Sequence, residues 1–149
     1  MIRKIIITFT LVVFLSQLVS AINYENKDRV YDQNIHTVLL HPPGDQLASP
    51  VIRLNTTDRL RLSFDDMSPE SYQFKYTFIH CTRDWQTSDL DQMDYLDGFF
   101  EEDIIQYEFS LNAIPPYVHY YVNFPTRDMQ IKISGNYMLK VYLDSSDGE

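Results

Sequence analysis

The feature that most constrains this chain is a run of rings at every second position. Tyr72, Phe74, Tyr76, Phe78 and His80 alternate with Gln73, Lys75 and Thr77. Successive side chains of a β-strand point to opposite faces. The spacing therefore predicts a strand with its rings on one face and polar residues on the other. At Cys81 the alternation stops. From Asp84 to Asp103 there are eight acids and no Lys or Arg. The only tryptophan, Trp85, falls where strand gives way to loop. The stretch reads as the central strand of a β-domain feeding an acidic surface excursion.

The flanking sequence repeats the signal. Ile35 to Leu40 is predicted as a first strand, stopped by His41-Pro42-Pro43-Gly44-Asp45, where proline removes ladder donors and glycine permits a turn. A short strand is expected at Val51 to Leu54, then a turn over Asn55 to Asp58. Arg59 to Phe64 alternates, with Leu60, Leu62 and Phe64 inward. Beyond the acidic stretch, Ile105, Tyr107, Phe109 and Leu111 alternate with Gln106, Glu108 and Ser110, up to Pro115-Pro116. Tyr117 to Phe124 is a further strand, ended by Pro125. Gln130 to Ser134 is short, Ser134-Gly135-Asn136 is a turn, and Tyr137, Leu139, Val141 and Leu143 line one face of a last strand.

About eight short strands with turn residues between them, and no sustained 3.6-residue period, predict an all-β, antiparallel, immunoglobulin-like β-sandwich. A Gly-x-Tyr entering an alternating strand is like the corner where a tyrosine hydroxyl bonds back to upstream backbone, a role that falls to Tyr137. Packing alone is the plainer role for the same residue.

A chain of 149 residues suggests one domain. Residues 1–21 read as a secretory leader. Arg3 and Lys4 are followed by an apolar run from Ile5 to Leu18, then Val19-Ser20-Ala21, with cleavage expected after Ala21. The run is short for a membrane anchor. The domain is then expected over residues 22–149, beginning with a polar arm to Gln33. Loss of the two leader cations takes the net charge from −9 to −11. That balance argues against nucleic acid and against an anionic lipid surface, and for a basic partner or simple solubility. A single cysteine makes no internal disulfide, so the core alone must hold the fold.

Reaction chemistry finds little support in the residues. His80-Cys81 with Asp84 is the first candidate, but neighbours on a strand face opposite ways, and a buried structural Cys81 beside a satisfied His80 is the better reading. Asp89, Asp91, Asp94 and Asp97 offer oxygens to calcium, but their spacing misses the usual loop pattern, and a solvated acidic face is expected. Trp85 and the tyrosines suggest a sugar-stacking platform, although aromatics of a sandwich more often form its core. Asn55-Thr56-Thr57 is a glycosylation sequon of little weight. His36, His41 and His119 lack ligand spacing. No catalytic residue, cofactor or metal site is predicted, and the chain is expected not to be an enzyme.

Read together in order, FIHCTRDWQTSDL (Phe78 to Leu90), DYLDGF (Asp94 to Phe99), HYYVNFP (His119 to Pro125) and ISGNYMLKVY (Ile133 to Tyr142) resemble the N-terminal domain of the type IX secretion system plug proteins of Bacteroidota. That resemblance implies a periplasmic, non-enzymatic component of protein secretion. It would bind and close the periplasmic side of the outer-membrane translocon, without inserting in the membrane itself. The alternative is an exported carbohydrate-binding sandwich. The acidic loop, with Trp85, Phe99 and Phe100, is the candidate partner-binding surface, since aromatics anchor interfaces and charges steer association. The alternative is that Trp85 and the phenylalanine pair fold back as a lid on the core, and for Trp85 that is the stronger expectation. Plug proteins continue into further domains, whereas this sequence stops after Asp147-Gly148, a hairpin signal. The expectation is a domain truncated before its last strand.

Overall fold

The computed structural model describes residues 28–144. The expected leader and residues 145–149 lie outside them. Nine strands and one helical turn follow in order: β1 (Ile35–His41), β2 (Leu60–Asp66), β3 (Phe74–Cys81), α1 (Gln92–Tyr95), β4 (Leu96–Gly98), β5 (Glu102–Ile104), β6 (Gln106–Phe109), β7 (Val118–Phe124), β8 (Met129–Ile131) and β9 (Asn136–Leu143). One sheet has the order β1-β2-β7-β6 and the second β5-β3-β9. A two-stranded ribbon pairs β4 with β8, and every ladder is antiparallel. The chain is an all-β sandwich, as its alternation predicts.

The core lies between the two sheets. β2 supplies Leu60, Leu62 and Phe64, and β7 supplies Val118, Tyr120, Val122 and Phe124. From the other sheet β3 supplies Phe74, Tyr76 and Phe78, all buried, as their period of two requires. The rings interlock. Phe64 stacks on Tyr120 at 5.3 Å between centroids, and Phe74 meets both edge-on at 5.1 and 4.9 Å. Phe78 meets Phe124 at 5.2 Å. Edge-to-face and offset pairs of this kind add to the burial of large apolar area.

Tyr137 makes the corner bond. Its hydroxyl donates to the carbonyl of Ile133 at 2.8 Å, so packing alone does not describe it. Its ring packs edge-on against Phe78 and His80. His80 can lie there because Gly135 has no Cβ; one placed at that position would come within 2.4 Å of the His80 ring.

Two expectations need correction. Val51 to Leu54 is not a strand. The Asp58 carboxylate accepts from both the backbone N–H and the Nε of Arg53, and Thr56 Oγ1 donates to the Arg53 carbonyl, so the segment curls into a turn. The excursion from Asp84 to Asp103 is not all surface. It contains α1, β4 and β5, and drives Tyr95 and Leu96 into the core. The row on β6 is a strand, but its side chains stay exposed.

The buried phenols carry a pH consequence. Burial and the Glu102 carboxylate push Tyr76 up. Burial, with Tyr95 nearby, pushes Tyr137 up to about 12, and burial with the Glu101 hydrogen bond does the same for Tyr142. An unfolded phenol ionises near 10. Above that pH the unfolded chain binds fewer protons than the folded one. The stability these groups contribute is therefore complete below about 10 and lost as pH rises through about 12. Phenolate absorbance should show part of the 11 tyrosines ionising only as the chain unfolds. A single transition near 10 with the circular dichroism of the fold intact would contradict this.

Candidate functional site

The predicted partner surface begins where β3 ends. Past Cys81 the chain turns through a tight hairpin closed by a bridge from Cys81 to Thr87. Thr82 N–H donates to the Gln86 carbonyl at 2.7 Å, and Trp85 N–H to the Thr82 carbonyl at 3.0 Å. Trp85 takes the left-handed φ of 61° at the tip, an unusual conformation for a bulky residue. Its side chain is 51% exposed. The expected lid on the core is thus overturned: the turn aims the indole outward, and Tyr95, Leu96 and Met129 fill the interior instead.

Phe99 and Phe100 lie on a different loop, between β4 and β5. Phe99 is 65% exposed and Phe100 is also exposed. Two anchors hold this loop. Phe99 N–H donates to the Asp128 carbonyl at 2.7 Å, continuing the β4–β8 ribbon. The Thr77 hydroxyl, on the outer face of β3, donates to the Phe100 carbonyl at 2.6 Å and accepts from Gln92 Nε2 at 3.2 Å. One threonine therefore pins both α1 and the phenylalanine pair. Trp85 does not join them. Thr82 is five residues beyond Thr77, roughly 16 Å along an extended strand. Phe99 and Phe100 share one loop, and Trp85 is carried on another turn.

Beneath the loop runs a polar network that the spacing did not reveal. The Tyr76 hydroxyl donates to Glu102, and Thr126 Oγ1 donates to the other oxygen of that carboxylate at 2.7 Å. Lys75 bridges Glu101 at 3.2 Å and Asp144 at 3.3 Å, and the Tyr142 hydroxyl also donates to Glu101. The Tyr142 hydrogen bond first, then Lys75, holds the Glu101 carboxyl below its usual range. Two of the eight acids thus tie β5 to the sheet. The available signal was parity: an inward Tyr76 needs an acceptor for its hydroxyl.

The catalytic candidate does not assemble. Cys81 is buried, its thiol donates to the Ile79 carbonyl at 3.6 Å, and burial pushes it up, away from the thiolate a nucleophile requires. His80 Nδ1 lies 2.8 Å from Ser88 Oγ. Asp84 sits outside against Arg83 at 3.7 Å. His119 pairs across the first sheet with Asp65 at 2.7 Å. In the acidic stretch Asp91 N–H donates to Asp94 Oδ2 at 3.0 Å, opening α1. Among the described residues no three of His, Cys, Asp and Glu gather as a metal-holding group.

The chain is similar to known proteins. A family model described as Type 9 secretion system plug protein 1st domain matches residues 35–149. A crystal structure of a hypothetical protein from Parabacteroides merdae ATCC 43184 superposes with a TM-score of 0.73 at 29% identity. The match covers 78% of this chain and 30% of that one, so the chain spans about a third of the solved protein's length. No curated protein matches.

Gly98 sets the angle at which the phenylalanine loop leaves β4. Its φ is +90°, and a Cβ there would sit 2.0 Å from the Asp128 carbonyl oxygen. Gly98→Ala should open the β4–β8 ribbon and cost about 2 kcal/mol or more, since both the strained backbone and the clash oppose it. Urea unfolding checks this; a change within about 0.5 kcal/mol, the range of an innocuous surface substitution, would contradict it.

Proposed function

The chain belongs to the family of type 9 secretion system plug first domains, and from that premise we propose that it is a non-enzymatic, periplasmic component of that system which binds the periplasmic side of the outer-membrane translocon and helps to keep the idle pore closed. The observation that carries this is the family match over residues 35–149. The structure supports it in kind. A plug needs a rigid body more than a reaction centre, and this one is an interlocked aromatic sandwich with His80, His119 and Cys81 engaged structurally. Phe99 and Phe100, exposed on a loop anchored at two points, are its proposed contact residues. Trp85, on a separate turn, is a second contact point. Exposed aromatics on a rigid support cost little ordering entropy on binding.

A glycan platform gains less support. It asks for neighbouring rings on one plane, and Trp85 is carried on a different turn from the phenylalanine pair.

Affinity purification from outer-membrane extracts of the native host tests the proposal. The tagged protein should retain a large β-barrel, and Phe99→Ser with Phe100→Ser should reduce the retained amount about tenfold or more, as loss of central aromatic anchors does. Equal recovery of every envelope protein with and without the tagged chain would refute it.

A further inference from the structure

β6 is the outermost strand of its sheet. Tyr107 stands directly opposite Tyr120, and Phe109 opposite Val118. Directly opposed residues share a face, and both Tyr120 and Val118 are buried in the sandwich. β6 thus aims Tyr107 and Phe109 toward the interior, and the Tyr107 ring lies 5.8 Å from that of Tyr120. Even so, Phe109 is 62% exposed and Ile105, two residues before Tyr107, is 69% exposed. The cause is the opposing sheet. It ends in β5, only three residues long and paired only with Phe74, Lys75 and Tyr76. The chain then steps from Ile104 to Gln106 straight into the other sheet. The result is an inward-facing apolar row left uncovered on a strand whose outer backbone edge is unpaired among the described residues. Beside it a groove of about 300 Å³ opens between the turn at Met67 to Ser71, the end of β6 at Phe109 and the following loop through Pro116.

Charge selects the occupant. Glu70 lines the groove, Asp103 lies on β5, and Glu108 lies on β6. Neither residues 67–71 nor residues 84–126 contain a Lys or Arg. Asp66 at the end of β2, paired with Val118, is 1% exposed. One carboxylate oxygen accepts from Ser68 N–H at 2.9 Å, and the other has no hydrogen-bond partner among the described residues. A buried acceptor left without a donor is costly. A second copy of this chain suits the site poorly, since it would bring the same acids together, and a short row falls well below the roughly 800 Å² per partner of a stable interface.

We propose that β6 is a docking edge for an extended segment of another protein, in which apolar residues alternate with lysine or arginine. The segment adds as a fifth strand to the first sheet. Its apolar side chains cover Ile105, Tyr107 and Phe109, and its cations meet the acidic rim. Main-chain bonds supply affinity and the alternate side chains supply selection. This surface is separate from the Phe99–Phe100 loop and does not depend on the identity of the pore.

The probe is an end-blocked decapeptide alternating lysine and valine, titrated into the purified protein by calorimetry. Saturable binding is expected, weakened about tenfold or more by Phe109→Glu and by Ile105→Glu. Each substitution adds a negative charge at an exposed position, so unspecific attraction for the peptide would rise rather than fall. Circular dichroism of both variants should match the parent; should one fail to fold, the other carries the comparison. A glutamate–valine decapeptide, and a lysine–valine one methylated at alternate backbone nitrogens, should not bind. Equal affinity in parent and variants, equal affinity of the methylated peptide, or no binding at millimolar peptide would overturn the proposal. So would a concentration-dependent dimer abolished by Phe109→Glu, which would give the row to a second copy.

Discussion

Phe74 stands edge-on to Phe64 and Tyr120, and Phe78 meets Phe124. Through these contacts β3 holds the two sheets together. The single cysteine is buried, and one cysteine makes no internal disulfide. Burial of large rings must offset the chain entropy of a β-fold whose contacts are mostly distant in sequence. Truncating one such ring typically costs about 3–5 kcal/mol, a large part of the stability of any small domain. β3 is accordingly paired on both flanks, with β5 and β9.

Several of the core rings are tyrosines, and each buried phenol needs a partner. Tyr76 finds Glu102, Tyr95 finds the Phe78 carbonyl at 3.2 Å, Tyr120 the Tyr72 carbonyl at 2.9 Å, and Tyr137 the Ile133 carbonyl at 2.8 Å. A bond of this kind contributes about 1 kcal/mol net, but leaving the hydroxyl unpaired costs more. The bonds therefore select register and fix how the excursion from Asp84 to Asp103 folds back. That fold-back is what presents Phe99 and Phe100 on an anchored loop. The proposed contact surface is in this sense a by-product of satisfying the core.

The alternation made β2, β3, β7 and β9 legible, since strands covered on one face must repeat every second residue. Leu60, Leu62 and Phe64 lie where parity places them, and so does the ring row of β3. Val51 to Leu54 misled because its apolar residues are β-formers, while the local bonds between Arg53 and Asp58 decide its shape. The acidic excursion misled in the other direction. Its charge masked Tyr95 and Leu96, two core residues set among carboxylates. Parity also placed the row on β6 correctly but could not say whether a second sheet would cover it. Coverage depends on the length of β5, a tertiary fact. At the candidate site the exposed phenylalanines were legible, whereas Thr77, Gly98 and the Asp128 carbonyl that hold them were not, because they act through contacts across strands. The expected role of Trp85 failed because the hairpin tip, rather than hydrophobicity, sets its direction.

Native-state hydrogen exchange resolved by residue tests most directly whether the aromatic strand is what holds the sandwich together. The slowest amides should belong to Phe74–Cys81 and to the strands that pack on it or pair with it, β2, β7 and the Tyr137–Val141 part of β9, all opening with one free energy equal to that of global unfolding. Amides of β6 should exchange much faster. Slowest exchange in β6 or in residues 28–34, with Phe74–Cys81 opening independently and early, would contradict it.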